Sequence, residues 1–179
     1  MKKKNNNIRI EAVILAGGQS RRMGGDKAQL RLGRRTLLGH TRALAAALGL
    51  PCRVVAKDRQ PGLGPLGGIE TALRRARAGR VLFLGCDMPF LQLGLVERLL
   101  AIDAPAAFAS VRGRVGFPFF LAPEILPIVE VQLAAGDLSL QAFSRKICAR
   151  RLRVPRADWP QLQNLNTPAD LAAARVRLH

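Results

Sequence analysis

Short apolar runs alternate with helix-like patterns over the first half of the chain. Apolar positions at helical spacing predict helices over Leu37–Leu48, Ile69–Ala78 and Leu95–Leu100. Between them, continuous apolar runs predict strands over Ile8–Leu15, Cys52–Ala56 and Arg80–Leu84. Because strands that alternate with helices form βαβ units, this half of the chain predicts a parallel sheet flanked by helices.

The pattern changes after Asp103. Two strand-like runs, Ala106–Val111 and Phe117–Leu121, are joined across Arg112-Gly113-Arg114 and predict a β-hairpin. The later elements are predicted as helices over Pro123–Ala135 and Ser139–Ala149, a strand over Arg151–Val154, and a last helix that begins with Thr167, Pro168 and Asp170 in a capping box. The predicted fold class is α/β: a single-domain three-layer sandwich over residues 1–179, with a mostly parallel, Rossmann-like sheet and a small antiparallel part.

The charge of the chain narrows its possible partners. Among 179 residues, 29 Lys and Arg outnumber 12 Asp and Glu, which gives a formal net charge of +17. Such a balance suits a nucleic acid, an anionic membrane or small polyanions. Aromatic residues make up only 4% of the chain, so base-stacking platforms are scarce and a nucleic-acid partner is not favoured. No run approaches the roughly 20 apolar residues of a membrane span, so no membrane partner is expected.

The cysteines and the first residues indicate a compartment. Cys52, Cys86 and Cys148 show no metal-binding spacing, and an odd number cannot all pair with one another. Residues 1–7 are predicted to be a disordered polar tail, and the apolar run after them is too short for a signal peptide. These features predict a reducing, cytoplasmic location.

The stretch from Leu15 to Lys27 carries the strongest local signal for chemistry. It follows the first predicted strand and reads Leu-Ala-Gly-Gly-Gln-Ser-Arg-Arg-Met-Gly-Gly-Asp-Lys. Its glycines let the main chain approach a ligand closely, and successive N–H groups form an anion-binding concavity. Arg21, Arg22 and Lys27 add full positive charges. The stretch therefore favours a polyphosphate ligand; its alternative is a solvated glycine-rich turn.

Three polar segments follow predicted strands and are expected at one edge of the sheet: Gly17–Lys27, Asp58–Gly68 and Gly85–Pro89. Asp87 closes its strand beside the phosphate loop. Because a carboxylate together with substrate phosphates is the usual way to hold Mg²⁺, Asp87 is predicted as the Mg²⁺ ligand, with a capping role in the next turn as the alternative. Asp58 is a second candidate, for contact with the nucleotide or the metal, and its alternative is a surface turn.

Other phosphate and nucleophile patterns are excluded. Gly62-Leu63-Gly64-Pro65-Leu66-Gly67 has the spacing of the dinucleotide fingerprint, but these glycines do not directly follow a strand. The chain has no Gly-Lys-Ser or Gly-Lys-Thr, so it has no Walker P-loop. His40 lies in a predicted helix and His179 is the last residue, which argues against a His-dependent triad. The chemistry that remains is phosphate chemistry, in which cationic side chains and Mg²⁺ stabilise charge and the protein positions the reacting groups.

The phosphate loop and three other segments resemble a known family. Leu15-Ala16-Gly17-Gly18, followed by Ser20, Arg22, Met23, Gly24, Asp26 and Lys27, is similar to the signature of the Mg-dependent nucleotidyltransferases that make the dinucleotide form of the molybdenum cofactor. Leu-Ala-Gly-Gly resembles the guanylyltransferase branch, whereas cytidylyl relatives typically carry Leu-Ala-Ala-Gly. The further segments are Pro61–Gly68, Cys86-Asp87-Met88-Pro89 and Asn164-Leu165-Asn166-Thr167-Pro168.

This resemblance implies a nucleotide-diphospho-sugar-transferase type of fold and transfer of GMP from GTP to the terminal phosphate of molybdenum-molybdopterin, with release of pyrophosphate. The residues it implies for GTP binding are Leu15, Ala16, Gly17, Gly18, Lys27, Asp58 and Asp87. Those it implies for catalysis are Arg22 and Lys27 on the triphosphate and Asp87 on Mg²⁺. Asn164 and Asn166 would lie on the pterin side. Molybdoenzymes or cofactor-delivery proteins are the implied macromolecular partners.

Two features depart from the family pattern. Between the first helix and Pro61 the chain has one predicted strand where the family usually has two, so Asp58 could match the end of either. The polar residue usual near the second hairpin strand is not evident in Gly116-Phe117-Pro118-Phe119. The alternatives left open are a sibling transferase that uses CTP or another phosphate acceptor, a basic nucleic-acid-binding protein, and an inactive relative that binds a partner.

Overall fold

The computed structural model describes residues 8–17, 27–56 and 62–177. Its strands are β1 (Ile10–Leu15), β2 (Arg31–Leu32), β3 (Arg35–Thr36), β4 (Cys52–Val55), β5 (Arg80–Gly85), β6 (Ala106–Val111), β7 (Arg114–Leu121) and β8 (Arg150–Arg153). Its α-helices are α1 (Leu37–Ala47), α2 (Gly64–Leu73), α3 (Leu93–Leu100), α4 (Leu126–Ala134), α5 (Leu140–Lys146) and α6 (Pro168–Val176). Short 3₁₀ helices cover Lys27–Gln29, Pro123–Ile125 and Arg156–Leu162.

Six strands form the main sheet in the order β4-β1-β5-β7-β6-β8. Strand β1 runs parallel to both β4 and β5, and β6 runs parallel to β8, whereas β7 is antiparallel to both of its neighbours. Strands β2 and β3 pair in a separate antiparallel hairpin. The predicted α/β class, with a mostly parallel sheet and a small antiparallel part, is confirmed.

Side chains of the central strands alternate between two buried faces of the sheet. On one face, Ala12, Ile14 and Leu84 pack against α1 and α3. On the other face, Val13 and Phe83 pack against α2, α4 and α5. Burial on both faces explains why these strands are continuous apolar runs in the sequence.

A smaller apolar cluster joins the β2–β3 hairpin to α6. Leu32 and Leu37 pack there against Leu165, Leu171 and Ala174, and all of them are buried. Because Leu165 precedes α6 and the other two belong to it, the cluster fixes α6 beside the hairpin. The cluster thereby packs the last described helix against a segment that comes before β4 in the chain.

The second helix is displaced from its predicted position. It covers Gly64–Leu73 rather than Ile69–Ala78. Pro65 is compatible with a helix start because N–H groups in the first turn need no helical partner. At the other end, the N–H groups of Arg75 and Ala76 donate to carbonyls three residues back, which closes the helix, and the N–H of Arg77 then donates to the buried carboxylate of Glu11 at 3.4 Å. The Gly-Pro-Leu-Gly-Gly segment, which precedes the predicted helix, is therefore the start of α2.

The hairpin of the main sheet is also tighter than predicted. Strand β7 starts at Arg114 rather than Phe117. Arg112 and Gly113 alone form the turn, with φ angles of 50° and 79°, as two-residue hairpins that match strand twist require. Pro118 lies where the pairing of β6 and β7 shifts register. A proline at such an irregularity interrupts the alternating pattern, which explains the late predicted start.

The other predicted elements differ from the observed ones only in extent. The predicted helix over Pro123–Ala135 is a 3₁₀ turn followed by α4, and the one over Ser139–Ala149 shortens to α5, with Ser139 as its cap. The β2–β3 hairpin is not predicted, since two-residue strands are too short to show alternation. Within the described ranges, no helix has the length and apolar character that crossing a bilayer requires.

Candidate active site

The candidate site lies at the edge of the sheet where β1 and β5 end. The N–H of Ala16 donates to the carbonyl of Val55 at 2.9 Å, and the N–H of Cys86 donates to the carbonyl of Leu15 at 3.3 Å. These bonds keep the segments that follow the two strands side by side. Gly17 comes next and is exposed. Polar segments thus meet at the carboxyl ends of the parallel strands, where open α/β sheets bind ligands.

Lys27 connects three distant parts of the chain. It precedes Asp87 by 60 residues and Asn166 by 139 residues. Its Nζ lies 2.9 Å from Oδ2 of Asp87 and 2.6 Å from Oδ1 of Asn166. Only 13% of the Lys27 side chain and 22% of the Asp87 side chain are exposed. Because water screens this pair less than a surface pair, the cation is held firmly in place.

The strand end beneath Asp87 determines where its carboxylate lies. The carbonyl of Asp87 accepts the N–H of Leu165 at 2.9 Å, which ties the end of β5 to the segment before α6. Its side chain turns back over Gly85: a Cβ at position 85 would come within 2.7 Å of Oδ1 of Asp87. The hydroxyl of Thr41 in α1 donates to the carbonyl of Gly85 at 3.3 Å. A residue without a side chain is therefore needed at position 85 for this carboxylate position.

Asn166 is positioned by the start of α6. The hydroxyl of Thr167 accepts the N–H of Asp170 at 3.1 Å, and Oδ2 of Asp170 accepts the N–H groups of Asn166 and Thr167 at 2.8 Å each. The predicted capping box, with Pro168 in the first turn, is confirmed. These bonds, the one from the Asn166 N–H above all, hold the pKa of Asp170 below its ordinary value, and the charge of Lys27 adds to the effect.

The groups gathered here are one ammonium, one carboxylate and one amide oxygen. In the part of the chain that the structure describes, no three His, Cys, Asp or Glu side chains gather to hold a metal ion. Mg²⁺ does not need such a group, because proteins usually hold it with one or two carboxylates together with substrate phosphates and water. The donor set fits a phosphate ligand that arrives with Mg²⁺.

Comparison with known proteins identifies the family. Residues 12–154 match the family described as a MobA-like NTP transferase domain. The chain belongs to this family. A molybdenum cofactor guanylyltransferase from Rhodobacter capsulatus is 36% identical over 194 residues, which cover 96% of this chain and 97% of that protein. One from Syntrophotalea carbinolica is 34% identical, over 89% and 87% of the two chains. The resemblance seen in the motifs is confirmed.

Solved structures share the fold of this MobA-like chain. Molybdopterin-guanine dinucleotide biosynthesis protein A from Archaeoglobus fulgidus aligns with a TM-score of 0.74 over 94% of this chain and 98% of that one, at 19% identity. 2-C-methyl-D-erythritol 4-phosphate cytidylyltransferase from Thermus thermophilus aligns with a TM-score of 0.68 over 95% and 98%, at 18% identity. At these identities the likeness concerns the fold alone, and it is the predicted nucleotidyltransferase type of fold.

The structure brings part of the predicted MobA-like site together. Lys27, Asp87 and Asn166 form one cluster beside the end of β1, where Leu15, Ala16 and Gly17 lie. Gly18, Arg22 and Asp58 fall outside the described residues, so their assignments stay predictions. Asn164 is exposed, and its side chain makes no hydrogen bond within the described part of the chain. Asn166 contacts the lysine that the resemblance places on the triphosphate.

Two residues of the site were not singled out from the sequence. Gly85 was predicted only as the first residue of the polar segment that follows a strand, and only the position of the Asp87 side chain reveals why a glycine is needed there. Asp170 was predicted as part of a helix cap. Its bond to Asn166, outside the helix, depends on the course of the chain before the cap, for which the sequence has no signal.

Proposed function

We propose that this chain transfers GMP from GTP to the terminal phosphate of molybdenum-molybdopterin, which yields the guanine dinucleotide form of the cofactor and pyrophosphate. One observation carries the proposal: a sheltered ammonium, that of Lys27, is held between a carboxylate and an amide oxygen at the ends of parallel strands. Support comes from relatives in the same family that are named molybdenum cofactor guanylyltransferase.

Lys27 is proposed as the cation that receives the triphosphate. An ammonium has three N–H donors, so Lys27 can keep its bond to Asn166 while it turns another donor from Asp87 to a phosphate oxygen. Its charge then offsets the negative charge on the α-phosphate and on the departing pyrophosphate. An oxygen of the acceptor phosphate forms the new bond to the α-phosphorus, in line with the bond to the bridging oxygen that breaks.

Asp87 is proposed as the Mg²⁺ ligand. Its carboxylate is partly exposed at the strand end, where it can face substrate phosphates. Mg²⁺ bound there would act as a Lewis acid that neutralises charge on the triphosphate. The resemblance supplies the other assignments: Leu15, Ala16 and Gly17 on the base and ribose, Gly18 and Arg22 on the phosphates, Asp58 in the GTP site and Asn164 on the pterin side. We place the reaction in the cytoplasm, as the cysteine pattern predicts.

The test is incubation of the protein with molybdopterin, Mg²⁺ and each NTP separately, followed by mass detection of the dinucleotide. We expect product and pyrophosphate with GTP. Lys27→Ala and Asp87→Asn should each lower kcat/KM by about 100-fold or more, because each removes a charge that faces the reacting phosphates. Lys146→Ala, on an exposed side chain of α5, and Asp103→Asn, on a fully exposed carboxylate beside Arg80, are matched controls that should leave kcat/KM unchanged.

Any other outcome of this incubation would point to a different function. Product with CTP and none with GTP would assign the chain to the cytidylyl siblings. No product from any NTP, while a known guanylyltransferase converts the same acceptor, would favour an inactive relative that binds a partner, such as a molybdoenzyme or a delivery protein. Salt-dependent binding of nucleic acid that survives Asp87→Asn would favour the basic nucleic-acid-binding protein.

A further inference from the structure

Asp170 makes one more hydrogen bond than its helix cap requires. A capping box needs the third helical residue to accept the N–H of the cap residue, and Asp170 does this for Thr167 at 2.8 Å. The same oxygen also accepts the N–H of Asn166 at 2.8 Å. That N–H lies one residue before the cap, outside α6, so the bond contributes nothing to the hydrogen-bonding pattern of the helix.

The extra bond falls on the residue that holds Lys27. Oδ1 of Asn166 lies 2.6 Å from Nζ of Lys27, although the Asn166 side chain is exposed. The side chain of an exposed asparagine can adopt several rotamers, and its main chain can also shift. Either change would move the amide oxygen away from the ammonium. Two neighbouring bonds restrict this freedom: Leu165 donates to the carbonyl of Asp87, and Asn166 donates to Asp170.

We propose that Asp170 is a positioning residue of the active site, which fixes the main chain of Asn166 so that its amide oxygen stays on the Lys27 ammonium. For its effect on turnover, this inference rests on the proposed function. Its structural part, that Asp170 controls the environment of Lys27 through Asn166, does not depend on the reaction.

The electrostatics of the segment agree with this assignment. The N–H of Asn166 is the largest cause of the lowered pKa of Asp170, ahead of both contacts with Thr167. The bond from Asn166 therefore favours the ionised carboxylate, as the two contacts with Thr167 also do. The positive charge of Lys27 also favours the ionised carboxylate.

The direct test measures how fast Lys27 is acetylated. The whole protein is treated with an amine-reactive acetylating reagent, and the rate at Lys27 is followed by peptide mass spectrometry, with the exposed Lys146 as internal reference. We expect Asn166→Ala and Asp170→Ala each to raise the Lys27 rate by roughly tenfold, because a charge-assisted hydrogen bond no longer holds the amine. The double variant should be no faster than either single variant.

A second helix cap supplies the matched control. Ser139 caps α5 by accepting the N–H of Ala142 at 3.1 Å, so Ser139→Ala removes a cap of the same kind elsewhere in the molecule. It should lower the melting temperature and leave the Lys27 rate unchanged. If Asp170→Ala does not fold, Asp170→Asn keeps one acceptor oxygen without the charge and should still raise the rate, though by less.

Turnover provides the second readout. Asp170→Ala and Asn166→Ala should each lower kcat/KM for the nucleotide by roughly tenfold, with no further loss in the double variant, since both act on the same ammonium. Two results would overturn the proposal: an unchanged Lys27 rate in Asp170→Ala, or a double variant whose effects multiply. Should no NTP give product, the proposed function fails, and the acetylation rates still decide the role of Asp170.

Discussion

The substitution Gly85→Ala tests the site most directly, because it should lower the activity and leave the stability of the fold almost unchanged. Gly85 is the buried last residue of β5, and its backbone does not have a positive φ. Alanine can therefore adopt the same main-chain conformation. The new Cβ would come within 2.7 Å of Oδ1 of Asp87, while its other neighbours, the side-chain atoms of Met88, lie at 3.6 Å or more.

The size of the effect follows from these distances. To reach ordinary contact at 3.4 Å, the Asp87 carboxylate must move by about 0.7 Å, and it can do so cheaply because it is the end of a flexible side chain. The free energy of unfolding should therefore change by no more than about 1 kcal/mol. Misplacement of a reacting group by about 1 Å can cost about 100-fold in rate, so we expect kcat/KM to fall by roughly 10- to 50-fold.

The assay combines dinucleotide formation with urea unfolding followed by circular dichroism. Gly116→Ala is the matched control, since Gly116 also lies in a strand and a Cβ there would meet nothing within 4 Å. It should keep full activity and stability. Full activity in Gly85→Ala would refute the argument that glycine is needed to place Asp87, and so would a loss of activity explained by an equal loss of folded protein.

Three further predictions concern stability. Arg53→Met removes the cation that lies 3.1 Å from the largely buried carboxylate of Glu11; urea unfolding should show a loss of about 2–3 kcal/mol, which Glu11→Gln in the same chain partly restores. Leu165→Ala, at a fully buried position between the hairpin and α6, should cost about 2–4 kcal/mol by the same measurement. Asp170 has a lowered pKa in the folded state, so its stabilising effect is complete above its unfolded value of about 3.9 and is lost as the pH falls through the folded value. The melting temperature should therefore fall less steeply between about pH 5 and 2 for Asp170→Asn than for the unchanged protein; an unchanged slope would contradict the assignment.

The sheet was predictable from the sequence because its central strands are buried on both faces. That environment demands continuous apolar runs, which single out β1 and β5 in the sequence. The meeting of Lys27 and Asp87 at one edge of the sheet was predictable for a related reason: parallel strands bring the segments that follow them to the same edge. The capping box of α6 is a local pattern and was read correctly from Thr167 and Asp170.

What the sequence could not supply depends on contacts between distant segments. The predicted position of α2 was wrong at its C-terminal end because the chain leaves the helix after Leu73, and the N–H of Arg77 bonds to Glu11 of β1. The contact between Asn166 and Lys27 joins residues 139 positions apart. This contact requires the apolar cluster around Leu165, which no local sequence pattern predicts. The requirement for glycine at position 85 also depends on the folded structure, since it becomes visible only when the Asp87 side chain is in place.

The dependence of the site on α6 sets an order of events during synthesis. When the ribosome has finished β8 at Arg153, every strand of the sheet exists, but Asn166, Asp170 and the apolar face of α6 do not. At roughly 5–20 residues per second, synthesis from there to the end of α6 takes on the order of one to five seconds more. A chain that stops at Arg153 carries the carboxylate partner of Lys27 but not its amide partner. All the strands of the sheet are thus synthesised before the residues that complete the arrangement around Lys27.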